Sequence, residues 1–165
     1  MSGQAETTAV QQCDVLVIGG GPGGSTAATL LARKGWNVIM LEKAQHPRFH
    51  IGESLLPMSL PLFERLGVMH KVSALGVYKG GADFEADNER GYNVFPFSRA
   101  LGKSPPHAFQ VWRQDFDQML FEHARENGVD ARENAQVVGV EQRGSRDAVV
   151  SVRSDAGDYQ VEARY

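Results

Sequence analysis

The 165-residue chain has one cysteine, Cys13, so it can form neither an internal disulfide nor a zinc site built on several thiolates. A lone thiol fits a reducing compartment, and the cytoplasm is the expected location. Five histidines are present, His46, His50, His70, His107 and His123, without repeated ligand spacing and without a carboxylate cluster beside them, which argues against a metal centre. Neither sign of charge dominates: 17 Lys and Arg stand against 20 Asp and Glu, a formal net charge of -3, with acids and bases interspersed. With no basic stripe to neutralise a phosphate backbone, nucleic acid is not an expected partner.

Long apolar runs are missing as well. The stretch from Val15 to Ala32 is interrupted by Gly19, Gly20, Gly21, Pro22, Gly23 and Gly24, which is wrong for a membrane span. The opening MSGQAETTAVQQ has no positive region followed by an apolar one, so residues 1–12 read as a disordered tail rather than a secretion signal. What remains, 42% hydrophobic and 22% charged positions with no repeats, is the usage of one globular domain.

The pattern inside that domain is α/β. CDVLVIGG is short, β-branched and continuously apolar, as in a strand buried on both faces of a parallel sheet. GGSTAATLLARKG has helical spacing, with Arg33 and Lys34 in its last turn and Gly35 as the stop, and NVIMLEK supplies a second buried strand. Residues 13–43 thus predict a strand, a crossover helix and a parallel strand. Short helices are expected in SLPLFERLGV and HKVSALGV, and irregular strands and loops from Tyr78 to Pro106. RQDFDQMLFEHARENG predicts a helix with Asp115 as N-cap, Phe116, Met119 and Leu120 on one face, and Gly128 as the stop. AQVVGVEQ, AVVSVRS and YQVEARY then alternate as a β-meander that breaks off at Tyr165. The expected whole is a Rossmann-like fold, residues 13–165, incomplete at the C-terminus.

The chemistry begins at GGGPGG, where Gly19, Gly21 and Gly24 have the GxGxxG spacing after a strand and at the start of a helix. Gly19 permits the tight turn, Gly21 lets the backbone approach a pyrophosphate, and Gly24 lets the helix pack closely. The helix N-terminus offers amides and partial positive charge to the phosphates. Glu42, ending the second strand, can accept hydrogen bonds from ribose hydroxyls and would repel a 2′-phosphate, which favours FAD or NAD over NADP. The fingerprint alone does not separate FAD from NAD.

The next segment, PRFHIGESLLP, has two prolines and a Gly-Glu-Ser, which suit a backbone held on one path at close range. Together with Cys13–Lys43 it resembles the flavin-dependent halogenases, the tryptophan-halogenase-like group of FAD monooxygenases with a glutathione-reductase/p-hydroxybenzoate-hydroxylase type of FAD fold. In that family such a motif lies on a strap between the FAD site and the substrate side, here Gly52, Glu53 and Ser54. The resemblance extends to YKGGADF, VWRQDFDQML and AQVVGVE, which implies that Arg113 lies near the flavin and that the Val137 backbone meets the adenine. Lys43 and Arg48 join the implied cofactor-binding set.

The resemblance further implies that Lys79 is the catalytic lysine, holding or activating hypohalous acid made from reduced FAD, oxygen and halide. The substrate would be a small electron-rich aromatic, a phenol or pyrrole, free or tethered to a carrier protein, and a separate flavin reductase would deliver the reduced cofactor. The family's Trp-x-Trp-x-Ile-Pro motif is absent from these residues. Beside these expectations stand plainer ones: Lys79 as a solvated lysine in a Gly-rich turn, Glu53 as an acid at the start of the following helix, Ser54 as a cap or strap hydroxyl, and Arg113 as a solvated arginine. A non-halogenating FAD monooxygenase or reductase, or a flavin-binding module without activity, would share most of the same residues.

Overall fold

A computed structural model describes residues 10–85 and 92–165. The chain divides into two compact units, Met1–Arg48 with Asp117–Tyr165, and Phe49–Phe116.

The first unit is layered. Strands β1 (Val10–Cys13), β2 (Val15–Ile18) and β3 (Val38–Leu41) carry its first third, with helix α1 (Pro22–Ala32) crossing over from β2 to β3. β3 is buried at all four residues because it is the central strand of a parallel sheet. Its neighbours are β2 and, on the other side, β8, numbered in chain order and spanning Asp130–Arg132. Its side chains alternate as a strand dictates. Val38 and Met40 pack with Ala28, Phe121 and Ala124 on the helical side, whereas Ile39 and Leu41 face Val150, Val152 and Val161. Those three valines belong to the meander, β9 (Ala135–Arg143), β10 (Asp147–Ser154) and β11 (Tyr159–Ala163). Each fully buried aliphatic side chain in this double layer stabilises by roughly 1.5–3 kcal/mol.

Three expectations are corrected here. The tail is not disordered to residue 12: Val10–Cys13 pair in parallel with Gln160–Ala163, and residues 1–9 lie outside the described residues. A partner 150 residues away leaves no local signal. β2 is half-buried rather than buried on both faces, since it is an edge of the described parallel sheet. Asp115 is not the N-cap, because the fourth helix already begins at Arg113; the acid sits in the first turn, where the helix dipole still favours it.

The second unit holds α2 (Leu60–Leu66) and α3 (Met69–Leu75), separated at Gly67, whose φ of 74° supplies the left-handed stop. It also holds β4 (Val77–Lys79), β5 (Gly81–Glu85), β6 (Tyr92–Pro96) and β7 (Ala108–Gln110), paired antiparallel as β4 with β7 and β5 with β6. Residues 86–91 of the irregular region lie outside the described residues. Leu60, Phe63, Leu66, Val72 and Phe109 form the buried side, with Phe63 edge-on to Phe116 at 5.7 Å. Helix α4 (Arg113–Glu126) starts at the end of this unit.

Candidate functional site

The turn from β2 into α1 owes its shape to four glycines with different duties. Gly19 has φ 104°, and its amide donates to the Leu41 carbonyl at 2.7 Å, tying the turn to β3. At Gly24 a Cβ would overlap the Gly19 carbonyl oxygen and come within 3.3 Å of Val17 Cγ1, so only glycine lets helix and turn approach this closely. Gly20, which the spacing did not single out, would drive a Cβ to 2.6 Å from the Phe121 ring.

Gly21 is different. It is the N-cap of α1 with an ordinary extended backbone, φ -75° and ψ -175°, and the nearest atom to a Cβ there is Arg48 Nη2 at 3.8 Å. Neither strain nor crowding requires glycine, yet its absence of a side chain keeps the helix mouth open. α1 starts with Pro22, has no side-chain cap and no acid in its first turn. Its N-terminal amides and positive dipole end are therefore left to whatever enters that opening. A pyrophosphate fits this description.

Glu42 lies beside the opening and is 4% exposed. Its Oε2 accepts from the Gly20 amide at 2.8 Å and from Arg48 Nη2 at 3.2 Å, and its Oε1 accepts from the Ala44 amide at 3.0 Å. Burial alone would push the carboxyl up, but the Ala44 and Gly20 amides and the Arg48 guanidinium outweigh it and hold Glu42 below the usual carboxylate range. It is ionised at neutral pH, with acceptor capacity left for hydroxyl groups. Arg48 also reaches Asp117 of α4, Nη1 to Oδ2 at 3.7 Å, and its buried Nε has no acceptor among the described residues. Asp117 is wholly buried and was not anticipated. Its signal in the sequence was its place one turn before Phe121 on the apolar face of α4, where an acid needs a cation.

Of the remaining expected residues in this unit, Lys43 is exposed. Val137 packs against the inter-sheet core opposite Val152, where the register of β9 and β10 shifts by a bulge. The strand reaches it from Ala135, whose amide donates to the Glu42 carbonyl at 3.0 Å.

In the second unit the segment carrying Gly52, Glu53 and Ser54 runs along β7. The Leu55 amide donates to the Phe109 carbonyl and the Val111 amide to the Glu53 carbonyl, both at 2.9 Å. Gln110 clamps two side chains: it accepts from the Ser54 hydroxyl at 2.6 Å and donates to Glu53 Oε2 at 3.2 Å. Arg113 Nη1 donates to the Ile51 carbonyl at 2.8 Å. A Cβ on Gly52, whose φ is 99°, would sit 3.2 Å from that same nitrogen. The Ser54 hydroxyl and the Glu53 carboxylate are thus both tied to Gln110, and Arg113 braces the main chain at Ile51.

On the other edge of β7 lies β4, with Lys79 opposite Ala108 and Val77 opposite Gln110. Ser54 bridges to Gln110 from its side, so β7 is flanked by the strap and by the strand of Lys79. Two strand spacings and two residues put the Cα atoms of Lys79 and Ser54 roughly 12 Å apart. Lys79 is half-buried with Nζ 5.8 Å from the centroid of the Phe97 ring, and it borders a cavity of about 630 Å³ lined by Gly80, Asp83, Phe84, Val94 and Pro96. Among the described residues no three His, Cys, Asp or Glu side chains could hold a metal ion.

Residues 12–165 match the FAD binding domain family. The chain belongs to that family. Its cofactor is FAD, which resolves the choice that the glycine spacing left open. The tryptophan 2-halogenase of Chondromyces crocatus is 42% identical over 133 residues, 80% of this chain and 24% of the relative. Among solved structures, the myxobacterial chondrochloren halogenase CndH superposes with a TM-score of 0.86 at 37% identity, over 94% of this chain and 36% of that one. A flavoprotein/dehydrogenase from Cytophaga hutchinsonii gives 0.87 at 34% identity, over 94% and 38%. The chain spans about a quarter of the length of the curated relatives that it matches. No helix among the described residues is long and apolar enough to cross a membrane.

Proposed function

We propose that this chain holds the FAD of a flavin-dependent halogenase that acts on an electron-rich aromatic of the phenol or pyrrole kind, free or tethered to a carrier protein. A separate flavin reductase would supply the reduced cofactor. In this reading the open mouth of α1 at Gly21 takes the pyrophosphate, with Gly19 and Gly24 shaping the turn. Glu42 takes the ribose hydroxyls, Arg48 and Lys43 border the phosphates, and the Val137 backbone meets the adenine. Gly52, Glu53, Ser54 and Arg113 form the wall of the flavin. Bound and reduced, FAD supplies the electrons with which oxygen and halide give hypohalous acid.

Lys79 does the rest. Its ammonium donates a hydrogen bond to the oxygen of hypohalous acid and draws electron density from the halogen, or its free amine exchanges a proton for the halogen and carries it as a haloamine. The aromatic ring then forms its carbon–halogen bond and loses the ring proton. The observation that supports this role is the placement of Lys79 and the Gly-Glu-Ser strap on the two edges of β7. The test places this segment in the matching part of the Chondromyces crocatus relative and supplies reduced FAD, oxygen, chloride and a panel of tryptophan, phenols and pyrroles. Lys79→Ala should leave flavin reoxidation intact while halogenated product falls by about 100-fold or more. Product at the unsubstituted level from Lys79→Ala would return Lys79 to a solvated lysine. Hydroxylated product without halogenation would favour the second reading, a monooxygenase or reductase, which the likeness to the Cytophaga flavoprotein/dehydrogenase also supports.

A further inference from the structure

The turn between Glu42 and Arg48 is clasped by two residues that take no part in the cradle. His46 is buried, its side chain 1% exposed, and its ring lies 4.7 Å from that of Phe121. Glu133, in the turn between β8 and β9, accepts twice at Oε1, from the His46 amide at 2.6 Å and from His46 Nδ1 at 2.9 Å. Its Oε2 accepts from Arg125 Nη2 at 3.3 Å. Burial would push the Glu133 carboxyl up, but the His46 donors and Arg125 outweigh it and hold it below the usual range. The carboxylate is therefore ionised at neutral pH, and His46 Nδ1 must carry the proton. His46 Nε2 is buried with no partner among the described residues. The imidazole serves as one donor and a flat ring.

The same β8–β9 turn grips the other end of the segment. The Glu42 amide donates to the Arg132 carbonyl at 2.8 Å, and the Ala135 amide donates to the Glu42 carbonyl at 3.0 Å. Between these anchors Lys43 and Gln45 are exposed. Beyond the second anchor comes Arg48, whose guanidinium lies over Gly21 and on Glu42. The Asn134 amide adds a long bond to the Ala44 carbonyl at 3.5 Å, and the bonds from His46 to Glu133 are the last of these tethers before Arg48.

We propose that Glu133 and His46 are positioning residues that fix Arg48 and the Glu42 carboxylate for the adenosine monophosphate half of FAD. This rests on the reading of the cradle as the FAD site. The part of the ligand they govern is the one FMN lacks, so the signature is selectivity between the two flavins rather than flavin binding as such.

The test titrates the 165-residue chain with FAD and with FMN, unsubstituted and as His46→Phe and Glu133→Gln, with melting temperature and amide exchange at Gly20 and Ala44 followed in parallel. His46→Phe keeps the ring against Phe121 and removes only the Nδ1 donor. Glu133→Gln keeps an acceptor and the shape while removing the charge. Both should raise the FAD Kd about tenfold, leave the FMN Kd within about twofold, and speed exchange at Ala44 and Gly20. His46→Asn, whose side-chain N–H can replace that of Nδ1, should recover most of the FAD affinity. Unchanged FAD affinity in both variants, or FAD and FMN weakened alike, would overturn the assignment. An unsubstituted chain that binds FAD no tighter than FMN would instead remove the cradle reading on which it rests.

Discussion

The cradle and the strap are held in opposite ways. Glu42 is 4% exposed and meets three donors, and Gly24 lies against backbone, so the cradle is fixed by its own contacts. Along the strap Phe49, Ile51 and Leu56 are 81%, 79% and 65% exposed, while backbone bonds, Gln110 and Arg113 hold the main chain. In the proposed reading the cradle takes the phosphates and ribose of FAD, a fixed ligand that a rigid and self-contained site can serve. The strap instead pins its main chain and leaves these apolar side chains exposed.

The largest expected effect tests the cradle's rigidity. Gly24→Ala replaces a hydrogen with a methyl that overlaps the Gly19 carbonyl oxygen, and the Gly19 backbone with Val17 Cγ1 beside it leaves little room to yield. The gain in helix propensity, about 1 kcal/mol, does not offset this, and a net loss of about 3 kcal/mol or more is expected. Urea unfolding measures it. A variant as stable as the parent would mean that the turn is looser than the structure shows.

The strap should yield less. Arg113→Ala removes a partly exposed, charge-assisted bond to the Ile51 carbonyl, a cost of about 1 kcal/mol. The melting temperature should fall by about 2–4 °C, while amide exchange between Ile51 and Leu55 quickens markedly. Collapse of the whole fold would show that the strap carries as much of the structure as the cradle.

The smallest effect is electrostatic. Glu42 and Glu133 are both held below the usual carboxylate range in the folded chain. The unfolded chain therefore binds more protons in acid, and the stability the two groups contribute is complete above the ordinary glutamate range and lost as pH falls through their lowered values. Melting temperature should decline between about pH 6 and about pH 3, and Glu42→Gln should flatten that decline. A slope unchanged by the substitution would assign the pH dependence to other carboxylates.

What could be read from the sequence follows from how far apart the partners lie. The strand, glycine turn, helix and acid of the cradle fall within residues 13–43, and the meander announces itself by alternation and turns. Asp117, Gly20 and Gln110 were missed because each owes its role to a residue distant in the chain: Arg48, Phe121, and the pair of Glu53 and Ser54. β1 was hidden for the same reason. Asp115 was misread by three residues because an acid in the first helical turn and an N-cap look alike in a sequence.

The central claim is that the opening at Gly21 is reserved for the pyrophosphate of FAD, and Gly21→Ala tests it most directly. The backbone there suits any residue and a Cβ meets nothing closer than 3.8 Å, so the fold should be indifferent to the methyl. The melting temperature is expected to stay within about 3 °C of the parent, while the FAD Kd rises about 100-fold because the phosphate can no longer approach the amides. A variant that retains flavin through desalting as fully as the parent would contradict the claim.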